Sequence, residues 1–297
     1  MTLEYINCNL CGSNQSRVSI ILSDLLNIVQ CENCGLIYRN PRFSENEILE
    51  NYSSDGVFVE HLKAVWDYSK NRLFKQNLKR IEGYCPSKGR LLDVGCGYGT
   101  FLNIAEESGW DVRGIEISES AFKYASQRWG LKICKGTLKE AKFPDNYFDV
   151  VSLWEVLSLV CNPKQELKEA KRILKDGGLV ALRLHNAVFH VFMHRFFRCL
   201  GNLNAKLHIN PTIFHNYNFS PGTIREILEK AGFEEIKIFV SELTAGDPYS
   251  TGGILGNFGL QIIKKIIFYF SKLIFYLTGG KLVWGPSIIV FARKPNS

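Results

Sequence analysis

A short apolar run ending in a glycine-rich turn constrains this chain more than any other feature. Leu91-Leu92-Asp93-Val94 reads as a buried strand, Gly95-Cys96-Gly97-Tyr98-Gly99 as a turn, and Thr100 onward as a helix. Glycine has no Cβ, so a ligand can come close to the backbone there, and the helix N-terminus faces it. Glu116 ends the next apolar run, 21 residues beyond Gly95, where a carboxylate can accept hydrogen bonds from two ribose hydroxyls. Over 90–184, strands at Leu91–Val94, Asp111–Ile117, Leu131–Cys134, Asp149–Trp154 and Leu179–Leu184 alternate with helices at Thr100–Ser108, Ser118–Trp129 and Gln165–Leu174. Such β-α units require a largely parallel sheet covered on both faces.

The turn also narrows the ligand. The dinucleotide fingerprint needs a glycine where Thr100 stands. Asp93 at the strand–turn junction would repel a pyrophosphate and attract the ammonium of an amino-acid-like ligand. Further on, Ser220-Pro221 starts a helix running through Ile224, Ile227 and Leu228 to Gly232. Strands follow at Phe233–Val240 and Ser287–Ala292, with an apolar insertion, 241–286, between them.

The chain holds nine cysteines, an odd number, and Met1-Thr2-Leu3-Glu4-Tyr5 has no basic or apolar leader character. A disulfide framework is therefore not expected, and a cytoplasmic location is. Cys8-x2-Cys11 and Cys31-x2-Cys34, separated by nineteen residues and each followed by a glycine, have the spacing of a structural Zn2+ site with four thiolates. Residues 1–41 are thus expected to form a zinc-binding module. Residues 42–88 read as a helical lid or linker, with Leu62, Val65, Trp66, Leu73, Phe74, Leu78 and Ile81 at helical spacing. Residues 89–297 form the main domain. The formal charge of +7, from 36 basic and 29 acidic residues, allows an anionic partner but includes no like-charged run typical of a nucleic-acid tail.

The segments LLDVGCGYGTF and GIEIS, with Asp149–Leu157 and Leu174-Lys-Asp-Gly-Gly-Leu-Val, resemble the motifs of class I S-adenosylmethionine-dependent methyltransferases. The resemblance implies an α/β, Rossmann-like sheet of seven strands whose last strand, here Ser287–Ala292, is antiparallel. It implies that Asp93, Gly95, Cys96 and Gly97 line the methionine end of the cofactor, that Glu116 holds the ribose and that Ile117 packs on the adenine. Thr137 and Leu138 stand where the family usually has an acidic residue near the adenine, which leaves backbone contacts there. Trp154 and Glu155 would lie beside the reacting methyl. Many relatives continue with Glu-His, where this chain has Ser158-Leu159. The N-terminal pattern through Gly35–Arg42 resembles a group carrying a small zinc-binding module before the catalytic domain; several of its members act on sugars, nucleotide-linked deoxysugars or other small metabolites.

Transfer to oxygen or carbon needs alignment and a general base. His215, in Phe214-His215-Asn216-Tyr217-Asn218-Phe219-Ser220, matches the base of the sugar enzymes that the chain resembles. His185, ending the fifth strand, and Tyr217 are further catalytic candidates, and Tyr52 lies where relatives place a lid. His190 and His194 read as one face of a helix. Leu260–Leu277 carries Lys264, Lys265 and Lys272, which makes it a poor membrane span. It either packs against the domain or a second subunit, or makes a peripheral contact with the inner face of a membrane or a lipid-linked glycan. The leading expectation is methyl transfer to a small-molecule acceptor: a sugar, nucleotide-sugar or lipid-linked glycan. The alternatives are an RNA methyltransferase, although Ser-Leu-Trp-Glu replaces the Asn/Asp-Pro-Pro-aromatic motif, and a catalytically inactive cofactor-binding scaffold.

Overall fold

The computed structural model describes residues 2–23, 25–53, 60–199, 214–242 and 254–296. The N-terminal part contributes β1 (Leu3–Glu4), β2 (Ser16–Ile21), β3 (Asn27–Cys31), β4 (Ile37–Arg39), β5 (Arg42–Phe43), α1 (Glu45–Ser53) and α2 (Glu60–Tyr84). The β-α run follows as β6 (Arg90–Val94), α3 (Thr100–Glu107), β7 (Asp111–Glu116), α4 (Glu119–Trp129), β8 (Ile133–Lys135), α5 (Leu138–Ala141), β9 (Phe148–Trp154), α6 (Pro163–Ile173), β10 (Leu174–His185) and α7 (Ala187–Cys199). The remainder forms β11 (Tyr217–Asn218), α8 (Pro221–Ala231), β12 (Glu234–Val240), α9 (Ile254–Leu277) and β13 (Ser287–Arg293).

Among the described residues the central sheet has seven strands, in the order β12-β13-β10-β9-β6-β7-β8. β10, β9, β6, β7 and β8 run parallel, and β13 is antiparallel to both β10 and β12. This is the arrangement the motifs implied, with Ser287–Arg293 as the reversed strand. The central strands are apolar on both faces because helices cover both: Val150, Val151, Leu153, Val180, Ala181 and Leu182 are fully buried. Of the α2 positions read as helical, Leu73, Phe74, Leu78 and Ile81 are buried in this core. The side chains of Leu62, Val65 and Trp66 lie outside the described residues.

Local signals set the helix ends. Ser118 and Asn162 cap α4 and α6 by accepting from the backbone amides of Ala121 and Gln165. Ser220 caps α8, Pro221 occupies its first turn, and Gly232 closes it with φ +85°. One strand is shifted from expectation: β8 is Ile133–Lys135 rather than Leu131–Cys134, because Leu131 packs beneath the glycine turn, where its Cδ1 lies 2.6 Å from the position of a Cβ on Gly99.

The N-terminal segment folds into a second sheet. β2, β3 and β4 form an antiparallel ladder, and a strand from the far side of the sequence extends it: β11 pairs with β4, Tyr217 opposite Tyr38 and Asn218 opposite Ile37. β1 pairs with β5. Of the insertion 241–286, the described part contains α9, whose Phe268 and Ser271 are buried.

Candidate active site

The carboxyl ends of β6, β7 and β9 meet at one cavity of about 560 Å³. Such crevices are where open α/β sheets bind ligands. Asp93, Gly95, Cys96, Gly97, Glu116, Ile117, Thr137, Leu138, Trp154 and His215 all line it. The glycines carry out two different tasks. Gly95 sits at φ +66°, and a Cβ there would stand 2.5 Å from Val156 Cγ2, so only glycine fits the turn. Gly97, at φ +55°, has open space where a Cβ would be, so its backbone faces the cavity bare.

Two buried carboxyls flank this turn. Asp93 Oδ1 accepts a 2.6 Å hydrogen bond from Ser152 Oγ. Burial pushes the Asp93 carboxyl up to about 8, the Ser152 bond works against that rise, and neighbouring Glu116 adds to it. Glu116 accepts from the amides of Gly97 (2.7 Å) and Ser118 (2.8 Å), and burial raises its pKa. A cationic group in the cavity would therefore draw Asp93 into its ionised form. Trp154 packs edge-on to Phe101, and its indole Nε1 is buried without a hydrogen-bond partner. An ammonium-attracting carboxyl at the end of β6, a glycine turn with space for a close-lying ligand and a carboxylate at the end of β7 fit S-adenosylmethionine. Thr137 caps α5 in a reciprocal bond with Glu140, so its hydroxyl is already engaged.

His215 lines the same cavity as the glycine turn, and its loop is clamped from several sides. Its amide donates to Asn218 Oδ1 (3.1 Å), and Asn218 Nδ2 donates to its carbonyl (3.1 Å). Asn216 Nδ2 donates to Leu159 O (2.7 Å), and the Tyr217 amide donates to Ser158 O (3.0 Å). Ser158-Leu159, the segment replacing Glu-His, thus serves as an anchor for the histidine loop. From the N-terminal sheet, Arg39 donates its amide to Asn216 O (2.9 Å) and its Nη2 to Phe214 O (3.0 Å). Burial pushes the His215 imidazole down to about 3, with His185 and Arg39 contributing, so it is held neutral and its basicity lies below that of an ordinary imidazole.

The two other catalytic candidates lie one layer back. His185 does not line the cavity; it stacks on His215 with ring centroids 5.4 Å apart, and its Nδ1 is 3.4 Å from Ser287 Oγ. Tyr217 is fully buried, and its hydroxyl donates to Cys161 O (3.0 Å) and accepts from Arg42 Nη1 (3.0 Å). The expectation of a catalytic Tyr217 is corrected accordingly: that hydroxyl joins the N-terminal module to the main domain. Tyr52, from α1, does line the cavity. His190, edge-on to His185, lies 3.0 Å through Nε2 from Pro286 O, as suits a buried helix histidine.

Sequence reasoning missed an ion-pair network on the cavity wall. Glu155, at φ +68°, accepts from Lys70 Nζ of α2 (2.8 Å) and pairs with Arg183 of β10. Arg183 is 1% exposed and also donates to Ser241 Oγ (3.1 Å) and Glu242 O (3.0 Å). An arginine inside the apolar run Val180–Leu184 was the available signal.

At the far end of the N-terminal sheet, the sulfurs of Cys8, Cys11, Cys31 and Cys34 all lie within 4.8 Å of one another. The Cys8–Cys34 and Cys11–Cys31 separations are 3.4 and 3.5 Å. Four thiolates about 2.3 Å from a tetrahedral Zn2+ would be about 3.8 Å apart, so the cluster fits the ion.

A family profile described as methyltransferase domain matches residues 58–238. An uncharacterized protein of Methanocaldococcus jannaschii is 27% identical over 201 residues, 64% of this chain and 90% of its own length. The ubiquinone biosynthesis O-methyltransferase of Azoarcus sp. is 29% identical over 167 residues, 53% of this chain and 70% of its own length. Among solved structures, phosphoethanolamine N-methyltransferase 2 of Haemonchus contortus, in complex with S-adenosyl-L-methionine, has a similar fold. It is 19% identical, with a TM-score of 0.53 over 88% of this chain and 63% of that one.

Proposed function

Since this chain belongs to the methyltransferase domain family and is an S-adenosylmethionine-dependent methyltransferase, we propose that it methylates a hydroxyl or carbon of a small-molecule acceptor, with His215 as the base. The observation that carries this reading is a neutral imidazole, its loop clamped by backbone and asparagine hydrogen bonds, lining the same cavity as Asp93 and Gly97. The cofactor supplies an electrophilic methyl on a sulfonium. Asp93 would hold its ammonium and Glu116 its ribose, and the open space at Gly97 would let its methionine end lie against the backbone. His215 would take the acceptor proton as the bond to the methyl forms, and stacked His185 would keep its ring in place. Lys70, Glu155 and Arg183 would fix α2 over the cavity and exclude water.

A structural Zn2+ on Cys8, Cys11, Cys31 and Cys34 would hold the sheet whose β4 carries Arg39 and pairs with β11. The module's contribution to catalysis is then the position of His215. A sugar or glycan precursor is the favoured acceptor class. A hydroxylated ring of the quinol type is the second, favoured by the cavity's Ile48, Leu49, Phe74, Leu159 and Val160 and by the name of the Azoarcus relative. The test is S-adenosylhomocysteine release over a panel of nucleotide-sugars, free sugars and catechol-like phenols. Turnover with the sugar set supports the first class, turnover with phenols alone moves the assignment to the second, and none with either refutes both.

A further inference from the structure

The described part of α9 turns its apolar residues outward. Ile266, Tyr269, Phe270, Leu273, Tyr276 and Leu277 recur at helical spacing on one face, and all are more than half exposed. α7 adds a second stripe, Val188, Phe192 and Phe196, four residues apart and about half exposed. Trp284 joins the two, with ring centroids 6.2 Å from Phe192 and 6.1 Å from Phe270. The result is one continuous aromatic surface rather than scattered apolar residues.

The charge carried by the two segments that form this surface has one sign. Neither 186–199 nor 254–296 contains an Asp or Glu. Arg195, Arg198, Lys265 and Lys281 are exposed around it, and Lys272 lies over the ring of Phe268. We propose that the joined faces of α7 and α9 dock in the plane of an anionic lipid bilayer. Apolar and aromatic side chains would enter the headgroup boundary while the flanking Lys and Arg meet acidic headgroups. No described helix is long and apolar enough to cross a membrane, so the contact is peripheral. A second copy of the chain fits less well, because a two-fold contact through this face would set basic residues against basic residues. α7 starts two residues beyond His185, so docking brings the histidine end of the sheet to the lipid.

The test is sedimentation of the purified full chain with phosphatidylcholine vesicles, with and without phosphatidylglycerol. The expected result is binding to the mixed vesicles that weakens with salt. L273E/Y276E should abolish it. K265Q/K272Q/K281Q, which keeps the apolar face, should weaken it by roughly fivefold for each charge removed. S-adenosylmethionine affinity, measured on the same samples, should match wild type in both variants, which separates loss of docking from misfolding and from failure of the cofactor assignment. Absence of vesicle binding by wild type overturns the proposal, as does undiminished binding by L273E/Y276E. A wild-type dimer that ignores vesicles and is split by L273E/Y276E would assign the face to a second copy instead.

Discussion

Replacing Asp93 with asparagine should make the protein more stable and worse at binding its cofactor. Asp93 is held in a buried site where Ser152 supplies a single hydrogen bond. Its pKa rises on folding from 3.8 to about 8, chiefly through burial. A group whose pKa is raised by folding contributes fully below its unfolded pKa and loses that contribution as the pH climbs toward the folded value. The penalty therefore accumulates between pH 3.8 and about 8, and at pH 7 it reaches as much as about 4 kcal/mol, at about 1.36 kcal/mol per pH unit. Asparagine cannot ionise and can still accept from Ser152 Oγ. Asp93→Asn should thus raise Tm by on the order of 10 °C at pH 7, with a smaller gain at pH 5. Removing the carboxylate from the cofactor ammonium breaks a buried charge pair, at about 3 kcal/mol, so affinity for S-adenosylmethionine should fall roughly a hundredfold. Calorimetric melts at both pH values, with titration of the cofactor, measure the two effects. An unchanged or lower Tm, or an affinity within a few-fold of wild type, would refute the reasoning.

Three other outcomes follow from the same geometry. Wild type is expected to carry one zinc per chain; Cys31→Ser should lower that content and reduce kcat by about tenfold or more while cofactor Kd stays within about twofold, because the module acts on the His215 loop rather than on the glycine turn; metal analysis beside kinetics decides this. Arg183→Met removes one partner of Glu155 while Lys70 still pairs with it, and should cost about 1–3 kcal/mol in urea unfolding. Folding lowers the His215 pKa from 6.5 to about 3, so its contribution to stability is whole above pH 6.5 and drains as the pH falls toward 3. His215→Gln should flatten the pH dependence of urea unfolding in that window.

Much of the fold was legible because its signals are local. The caps Ser118 and Ser220, the terminator Gly232 and the alternation from Leu91 to Leu184 needed no knowledge of distant contacts. The glycine turn and Glu116 were equally readable, since both follow from strand ends and residue type. What escaped depends on residues far apart in sequence. The pairing of Tyr217–Asn218 with Ile37–Arg39 spans most of the chain, and nothing in either two- or three-residue strand announces it. Tyr217 was misread for that reason: its place beside His215 in sequence hid its role between Arg42 and Cys161. Lys70, Glu155 and Arg183 come from three separate elements and form a site only once α2 packs over β9 and β10. The gathering of Cys8, Cys11, Cys31 and Cys34, by contrast, needed only two short motifs at the right spacing.

The central claim is that His215 removes the acceptor proton while other residues hold the cofactor. The direct measurement is kcat and S-adenosylmethionine Kd for His215→Ala and wild type, side by side, on an acceptor found in the panel. The account predicts a kcat lower by about a hundredfold or more with Kd nearly unchanged. Equal loss of both, or full turnover in His215→Ala, would contradict it.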